Sequence, residues 1–222
     1  MKPRIKICCI ASLDEARMAI DTGAAALGLV SEMPSGPGVI PEQRIAEIAA
    51  SVPPPIATFL LTSRQDADSI LEQHRRCRTT TIQLVDHVPP DDIRRLRAEL
   101  PGIGLVQVIH VNGRESVEEA HSIAPIVDAL LLDSGNQKLT IKELGGTGRT
   151  HDWRLSREIR DTCDRPLFLA GGLDSSNVAD AIDAVHPFGL DLCSGVRTGG
   201  RLDSTKLREF FDAVSSTVRS LD

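Results

Sequence analysis

The first residues that could do chemistry are Lys6 and Cys8, in the segment Lys6-Ile7-Cys8-Cys9 near the start of the chain. The segment has the character of a strand, so alternate side chains share a face and Lys6 and Cys8 lie on the same one. A lysine beside a cysteine favours the thiolate, the form that can take a proton. A buried, inert cysteine is the alternative, and this segment alone does not decide between them. No metal-ligand spacing of Cys or His accompanies it, and no metal site is predicted.

A carboxyl group follows a second apolar segment, Leu130-Leu131-Leu132-Asp133-Ser134. Burial at the end of such a strand raises the pKa of Asp133, as a general acid working near neutral pH requires. The alternative is that Asp133 only caps the following loop. Asp191, in another apolar segment, is expected in a polar interior rather than at the active site. His87 and His110 lie near strand ends and are only weak candidates.

Three groups of glycines indicate an anion site. They are Gly145-Gly146-Thr147-Gly148, then Gly171-Gly172, then Gly195 with Gly199-Gly200. Glycine lets backbone N–H groups approach a phosphate closely, although any single pair could be a simple turn. We predict phosphate binding by Gly146, Gly171, Gly172, Ser194 and Gly195.

Eight short apolar runs alternate with segments of helical period, which is typical of repeated βα units around a parallel sheet. The runs are Arg4 to Cys8, Ala25 to Val30, Ile56 to Leu61, Thr80 to Leu84, Gly104 to His110, Val127 to Asp133, Pro166 to Ala170, and Gly189 to Ser194. Helices are predicted over Leu13 to Thr22 and Pro90 to Leu100, the first capped by Ser12. The pattern predicts one α/β domain over residues 1–222, a parallel (β/α)₈ barrel of the TIM type. A doubly wound open sheet is the competitor, but the first strand is not followed by GxGxxG.

Composition limits the partners. The formal charge is −6, aromatic residues make up 3% of the chain and Tyr is absent, which argues against nucleic acid. The five cysteines are odd in number and scattered, so we expect reduced thiols in the cytoplasm. No apolar run is long enough to cross a bilayer. A small phosphorylated sugar is the expected ligand, bound by a monomer or homodimer.

Taken together, these motifs resemble the phosphoribosylanthranilate isomerase family of tryptophan biosynthesis. Further matching segments are Gln83-Leu84, Asp152-Trp153, Leu169 to Leu173, Asn177-Val178 and Ser194-Gly195-Val196. The resemblance implies a cofactor-free Amadori rearrangement of N-(5'-phosphoribosyl)anthranilate, or of a related phosphoribosyl amine, to the 1-deoxyribulose phosphate. It implies Asp133 as the acid that opens the ribose ring and Cys8 as the base that takes the proton from C2.

The departures from the family lie in the half that would hold the anthranilate. The family has Gly after its catalytic cysteine and Ser-Pro-Arg after strand two, where this chain has Cys9 and the segment Pro34 to Gly38. The Arg of that motif would bind the anthranilate carboxylate, so its loss would cost roughly a hundredfold in affinity. Arg64 and Arg197 are the candidate replacements. We expect Lys6, Gln83 and Arg197 to contact the substrate.

Other functions remain open at this point. The barrel could act on a different aglycone, or could bind phosphosugars without catalysis. It could also be an aldolase that uses Lys6 as a Schiff-base nucleophile.

Overall fold

The strands of this protein close into a ring. The computed structural model describes residues 2–135, 144, 148 and 150–219. Eight parallel strands pair in chain order, and the last pairs with the first. They are β1 (Arg4–Ile7), β2 (Ala26–Val30), β3 (Ala57–Thr62), β4 (Thr81–Leu84), β5 (Gly104–His110), β6 (Ala129–Asp133), β7 (Leu167–Leu169) and β8 (Gly189–Leu192). All eight predicted strands are therefore confirmed, and ring closure excludes the doubly wound open sheet.

Eight α-helices among the described residues surround the ring. They are α1 (Leu13–Thr22), α2 (Glu42–Ser51), α3 (Ala67–Cys77), α4 (Pro90–Glu99), α5 (Glu115–Ile123), α6 (Trp153–Thr162), α7 (Val178–Val185) and α8 (Ser204–Arg219). Helix α1 has the predicted bounds, and the Ser12 side chain accepts a hydrogen bond from the Glu15 N–H, as the cap prediction required. In the part of the chain that the structure describes, none of the helices combines the length and apolar content needed to cross a bilayer.

A short hairpin was not predicted. Strands β9 (Arg197–Thr198) and β10 (Arg201–Leu202) pair antiparallel after the barrel closes. Gly199 and Gly200 form the turn between them, with φ angles of 58° and 79° that favour glycine. This turn explains both glycines without an anion.

The alternation of side chains along each strand divides the apolar core in two. On β5, Leu105 and Ile109 pack outward against the helices, whereas Val106 and Val108 fill the barrel interior. Each strand is buried on both faces, as in parallel barrels generally.

The amino-terminal end of the barrel is filled by aromatic rings. Phe59 and Phe168 meet edge to face inside it, with ring centroids 6.0 Å apart, and Phe188 packs edge to face on Phe168 at 5.5 Å. Phe168 pairs in register with Gly189, the first residue of β8. The interior is thus closed at this end, and a ligand must enter from the carboxyl ends of the strands.

Candidate active site

A cavity opens at the carboxyl ends of the strands, where barrel enzymes keep their active sites. Its empty space is about 630 Å³, part of which is open to solvent. Cys8 and Asp133 both line it. The strands that carry them, β1 and β6, are three strands apart around the ring, so the thiol and the carboxyl group approach the cavity from different sides.

Cys8 directly follows β1 and is 6% exposed. Its N–H donates to the Leu192 carbonyl at 2.7 Å, which extends the pairing of β1 with β8 by one residue. A β-carbon built on Gly28 of β2 would lie 2.8 Å from the Cys8 Sγ and 3.0 Å from the Lys6 Nζ. Cys8 and Lys6 therefore share the inner face, as alternation predicted, and Gly28 gives them the space that a side chain would take.

Lys6 is completely buried and forms an ion pair with Asp191, with 2.8 Å between its Nζ and the carboxylate. Burial is the largest single effect and would lower the pKa of Lys6, but the Asp191 charge, the hydrogen bond to Asp191 and the neighbouring thiols together outweigh it, and the pKa lies above its ordinary value. Lys6 is therefore a fixed cation, the reverse of the neutral amine that a Schiff-base aldolase needs. Lys6 stays outside the lining formed by the described residues, whereas Asp191 reaches the cavity. Asp191 is thus both an interior residue, as expected, and a lining residue.

Asp133 ends β6 and is 8% exposed. Burial is the main reason that its pKa is raised, and the nearby Asp191 charge adds to the effect. A 2.7 Å hydrogen bond from the Ser134 N–H and the charges of His110 and Lys6 partly offset the rise. The shift has the direction that the sequence predicted, and it favours the protonated form that a general acid uses.

The glycine loop after β7 faces the cavity. Gly171 and Gly172 both line it, with φ angles of 85° and 62° that only glycine adopts at low cost. The Asn177 side chain holds this loop, because its Nδ2 donates to the Gly172 carbonyl at 2.8 Å and its Oδ1 accepts from the Asp174 N–H at 3.0 Å. The sequence singled out Asn177 only through the matching segment Asn177-Val178, and its side chain does not cap α7.

The turn after β8 lies against that glycine loop. A β-carbon on Gly195 would collide with the Leu173 carbonyl, so glycine at this position lets the two loops touch. Ser194 lines the cavity, and a β-carbon on Gly148, from the loop after β6, would lie 3.7 Å from its Oγ. One glycine or more from each of the three groups, Gly148 from the first, therefore lies at this place, whereas Gly199-Gly200 forms the hairpin turn and Gly145 and Gly146 lie outside the described residues. We call Gly171, Gly172 and Ser194 the anion rim.

Gln83 of β4 lines the cavity and is 3% exposed. Its Oε1 is buried and has no hydrogen-bond partner among the described residues. A buried amide oxygen without a partner is costly, so it is available to a ligand hydroxyl or N–H group. His110, the weak candidate on β5, instead places its Nε2 3.1 Å from the Val85 carbonyl.

Neither candidate arginine lines the cavity. The Arg197 side chain is 8% exposed, its Nη1 lies 3.1 Å from Glu15, and its Nη2 donates to the Cys8 and Cys9 carbonyls at 3.1 and 2.6 Å. Arg64 is 38% exposed and lies 3.6 Å from Glu42. Sequence could not reveal these partners, because they lie far from the two arginines along the chain. Arg197 therefore supports the backbone that follows β1 and does not line the cavity.

The part of the cavity lining that comes from β2, β3 and the loop after β2 is mostly apolar, and Ser35 is its polar side chain. Val30, Met33, Pro37 and Leu61, from β2, β3 and the loop between β2 and α2, line this side, which we call the apolar rim. An aromatic aglycone would find suitable surface here. A charge-assisted contact to a carboxylate is not provided by the apolar rim.

Comparison with known proteins identifies close relatives. The model of a family described as N-(5'phosphoribosyl)anthranilate (PRA) isomerase matches residues 5–213. The N-(5'-phosphoribosyl)anthranilate isomerase of Methanocella arvoryzae is 34% identical over 215 residues, which are 96% of this chain and 99% of that protein. The crystal structure of phosphoribosyl anthranilate isomerase from Thermotoga maritima is similar with a TM-score of 0.83 and 29% identity, covering 96% of this chain and 99% of that one. Another such isomerase, in complex with reduced 1-(o-carboxyphenylamino)-1-deoxyribulose 5-phosphate, gives 0.80 and 26% over the same shares.

Proposed function

Because the chain belongs to the N-(5'-phosphoribosyl)anthranilate isomerase family, we propose that Cys8 and Asp133 carry out that family's Amadori rearrangement in this protein. The substrate is N-(5'-phosphoribosyl)anthranilate and the product is the corresponding 1-deoxyribulose phosphate. The observation that carries the assignment of roles is that a thiol and a carboxyl group of raised pKa line one cavity from strands three apart.

The proposed reaction begins with proton transfer from Asp133 to the ribose ring oxygen. The C1–O bond breaks, the nitrogen lone pair forms a C1=N bond, and the ring opens to a protonated Schiff base. The Cys8 thiolate then removes the proton from C2, which gives an enolamine. Tautomerisation of the enolamine yields the ketone. Lys6, a fixed ammonium on the same face as Cys8, supports the proposal by placing positive charge beside the sulfur.

The anion rim binds the sugar phosphate in this proposal, together with Gly195 and with Gly146 from the loop after β6. Convergence of the loops after β6, β7 and β8 supports it, since barrels commonly bind phosphate there through backbone N–H groups. Gln83 supplies an acceptor for a sugar hydroxyl or for the bridging amine. Proximity and fixed orientation then lower the barrier without a coenzyme.

The direct test follows the fluorescence of phosphoribosylanthranilate as purified protein consumes it. We expect turnover by the wild type, and loss of at least about a thousandfold in kcat in Cys8→Ala and in Asp133→Asn. Cys163→Ser, which changes a half-buried cysteine far from the cavity, is the matched control and should turn over normally. Circular dichroism and thermal melting check that each variant is folded. Wild-type-like rates in either active-site variant would contradict the proposed roles.

A second candidate is isomerisation of a phosphoribosyl amine with an uncharged aglycone. The observation that favours it is the apolar rim, where the described residues include no arginine. Comparing kcat/KM for N-(5'-phosphoribosyl)anthranilate and N-(5'-phosphoribosyl)aniline separates the two. A preference for anthranilate of about a hundredfold contradicts this candidate, and equal values support it. Binding of ribose 5-phosphate without turnover of either amine would support a non-catalytic barrel.

We also propose that the protein works in the cytoplasm, because its five cysteines are unpaired. The oligomeric state, monomer or homodimer, stays a prediction that light scattering of the purified protein would test.

A further inference from the structure

Cys9, next to the catalytic thiol, has an unusual backbone. Its φ is +63°, in the left-handed region that glycine adopts freely and that a residue with a β-carbon adopts at a cost. The sequence has cysteine at this position where the resemblance led us to expect glycine. A thiol is thus held in a conformation that is unfavourable for the residue that carries it.

The Cys9 thiol points at a second cysteine from the other end of the chain. Its Sγ lies 2.8 Å from the Sγ of Cys193, the residue that follows β8. Cys9 is 5% exposed and is held tightly, because a β-carbon on Gly38 would lie 2.5 Å from the Cys9 β-carbon. The Cys9 thiol also lies 3.5 Å from the Pro37 carbonyl, to which it can donate. The two sulfurs are therefore preorganised, with little motion needed to bring them to the 2.05 Å of a bond.

Reagents can reach this pair from the active-site cavity. Cys9 and Cys193 both line it, and Cys193 is only partly buried. Of the other three cysteines, Cys8 also lines the cavity, whereas Cys77 and Cys163 lie in the outer layer, outside the cavity lining.

We propose that Cys9 and Cys193 form a redox-active pair, which a peroxide converts reversibly into an intramolecular disulfide beside the active site. A low-molecular-weight disulfide is an equivalent oxidant through thiol exchange.

The environments of the two thiols assign their roles. The hydrogen bond between the two thiols lowers the pKa of Cys193 despite the opposing effect of burial, and the positive charges of Arg197 and Lys6 contribute. The hydrogen bond to Cys193 is the main cause that raises the pKa of Cys9 well above its ordinary value. Cys193 is also the more exposed of the two thiols, so we assign it as the sulfur that reacts first and Cys9 as the thiol that resolves the product.

The chemistry balances with the peroxide as the two-electron oxidant. The Cys193 thiolate attacks one peroxide oxygen, the O–O bond breaks, and Cys193 becomes a sulfenic acid with release of hydroxide. The Cys9 sulfur then attacks the Cys193 sulfur, forms the S–S bond and displaces the oxygen as water with the Cys9 proton. A thiol reductant reverses the change by exchange.

The disulfide would join the end of β1 to the turn after β8, between catalytic Cys8 and Ser194 of the anion rim. A displacement of about 1 Å at a catalytic group can cost about a hundredfold in rate. We therefore expect the oxidised protein to lose at least about tenfold in turnover, with recovery on reduction.

The test is a thiol count and peptide map of folded protein treated with a small excess of hydrogen peroxide, then denatured in iodoacetamide. Reduced protein should take five carbamidomethyl groups, one for each cysteine, and oxidised protein two fewer. Tryptic digestion should show one linked pair of peptides, those that carry Cys9 and Cys193. Cys9→Gly, which suits the positive φ, and Cys193→Ser should each abolish the linked peptides, whereas Cys163→Ser should retain them.

Each outcome decides the proposal. Five carbamidomethyl groups after peroxide treatment would overturn it, as would a bond between the adjacent Cys8 and Cys9 or irreversible oxidation that a thiol reductant does not remove. The map needs no substrate, so it stands even if the protein fails to isomerise phosphoribosylanthranilate. An intact disulfide with unchanged turnover would overturn the expected effect on the reaction.

Discussion

The two rims of the cavity use different parts of the chain. The anion rim consists of glycine backbone and one serine, whereas the apolar rim consists of four side chains from β2, β3 and the loop after β2. Backbone N–H groups bind an anion whatever the neighbouring side chains are, but a carboxylate contact depends on one particular arginine. The contrast explains how a chain can keep the family's phosphate motifs while its aglycone half departs from them. Recognition through backbone tolerates substitution, and recognition through side chains does not.

Among changes that affect the two rims, the largest effect is expected from separating the loops that carry the anion rim. In Gly195→Ala the new methyl group would collide with the Leu173 carbonyl and push the loops after β7 and β8 apart. We expect KM for the phosphorylated substrate to rise at least about a hundredfold, because amides displaced by about 1 Å lose the phosphate. Steady-state kinetics and calorimetry with ribose 5-phosphate measure the change. Gly199→Asn, in the hairpin turn where asparagine tolerates positive φ, is the matched control. Equal phosphate affinity in the two variants would contradict our assignment of the rim.

A gain of function would sharpen the other side of the comparison. Pro37→Arg places a guanidinium on the apolar rim, within the segment that replaces the family's Ser-Pro-Arg. We expect tenfold to about a hundredfold higher kcat/KM for the anthranilate substrate and no gain for its aniline analogue, because only the former has a carboxylate. The ratio of the two kcat/KM values, measured before and after the substitution, is the readout. A parallel change for both substrates would show that the rim does not contact the carboxylate.

A smaller effect is expected from the support of the glycine loop. Asn177→Ala removes the hydrogen bond to the Gly172 carbonyl, a contribution of about 1 kcal/mol. KM for the phosphorylated substrate should rise about fivefold while kcat stays near its original value. Ser176→Ala, which removes a hydroxyl contact to Asp174 in the same turn, is the control and should leave KM unchanged. A fall in kcat alone would assign Asn177 to the chemical step instead of to the loop.

The pH dependence separates phosphate binding at the anion rim from the acid chemistry of Asp133. Asp133 must be protonated to act, so kcat/KM should fall as pH rises through its raised pKa. Ribose 5-phosphate binding should not follow the same curve, because backbone N–H groups do not titrate. An unchanged high-pH limb in the residual activity of Asp133→Asn would contradict Asp133 as its source.

The same residue links pH to stability. The folded-state pKa of Asp133 is raised, so the contribution of its protonated form is complete below the ordinary aspartate pKa and is lost as pH rises through the folded value. The free energy of unfolding of Asp133→Asn should therefore increase relative to that of the wild type as the pH rises from acid to neutral. Urea denaturation at pH 4 and pH 8 gives the free energy of unfolding of Asp133→Asn minus that of the wild type, and a fall in this difference with rising pH would contradict burial as the cause.

Most of the barrel could be predicted because its pattern is local. Each strand is an apolar run with breakers on both sides, and the structure begins or ends these strands within two residues of the prediction in nearly every case. The hairpin formed by β9 and β10 was missed because each strand has only two residues, too few for a period to show.

The site was predictable where strand direction alone decides it. The shared face of Lys6 and Cys8 follows from alternation, and Asp133 lies at the carboxyl end of its strand. The partners of Arg197 were not predictable, because Glu15 is 182 residues away along the chain. The requirement for glycine at position 28 could not be predicted either, because it arises from the side chains of Lys6 and Cys8, which approach from the neighbouring segment.

The aromatic floor made by Phe59, Phe168 and Phe188 has a consequence for the order of events. Because the barrel is closed at its amino-terminal end, the ketose product must leave through the same opening by which the next amine substrate enters. Occupancy by one molecule then forbids occupancy by the other, and product inhibition should be strictly competitive with substrate.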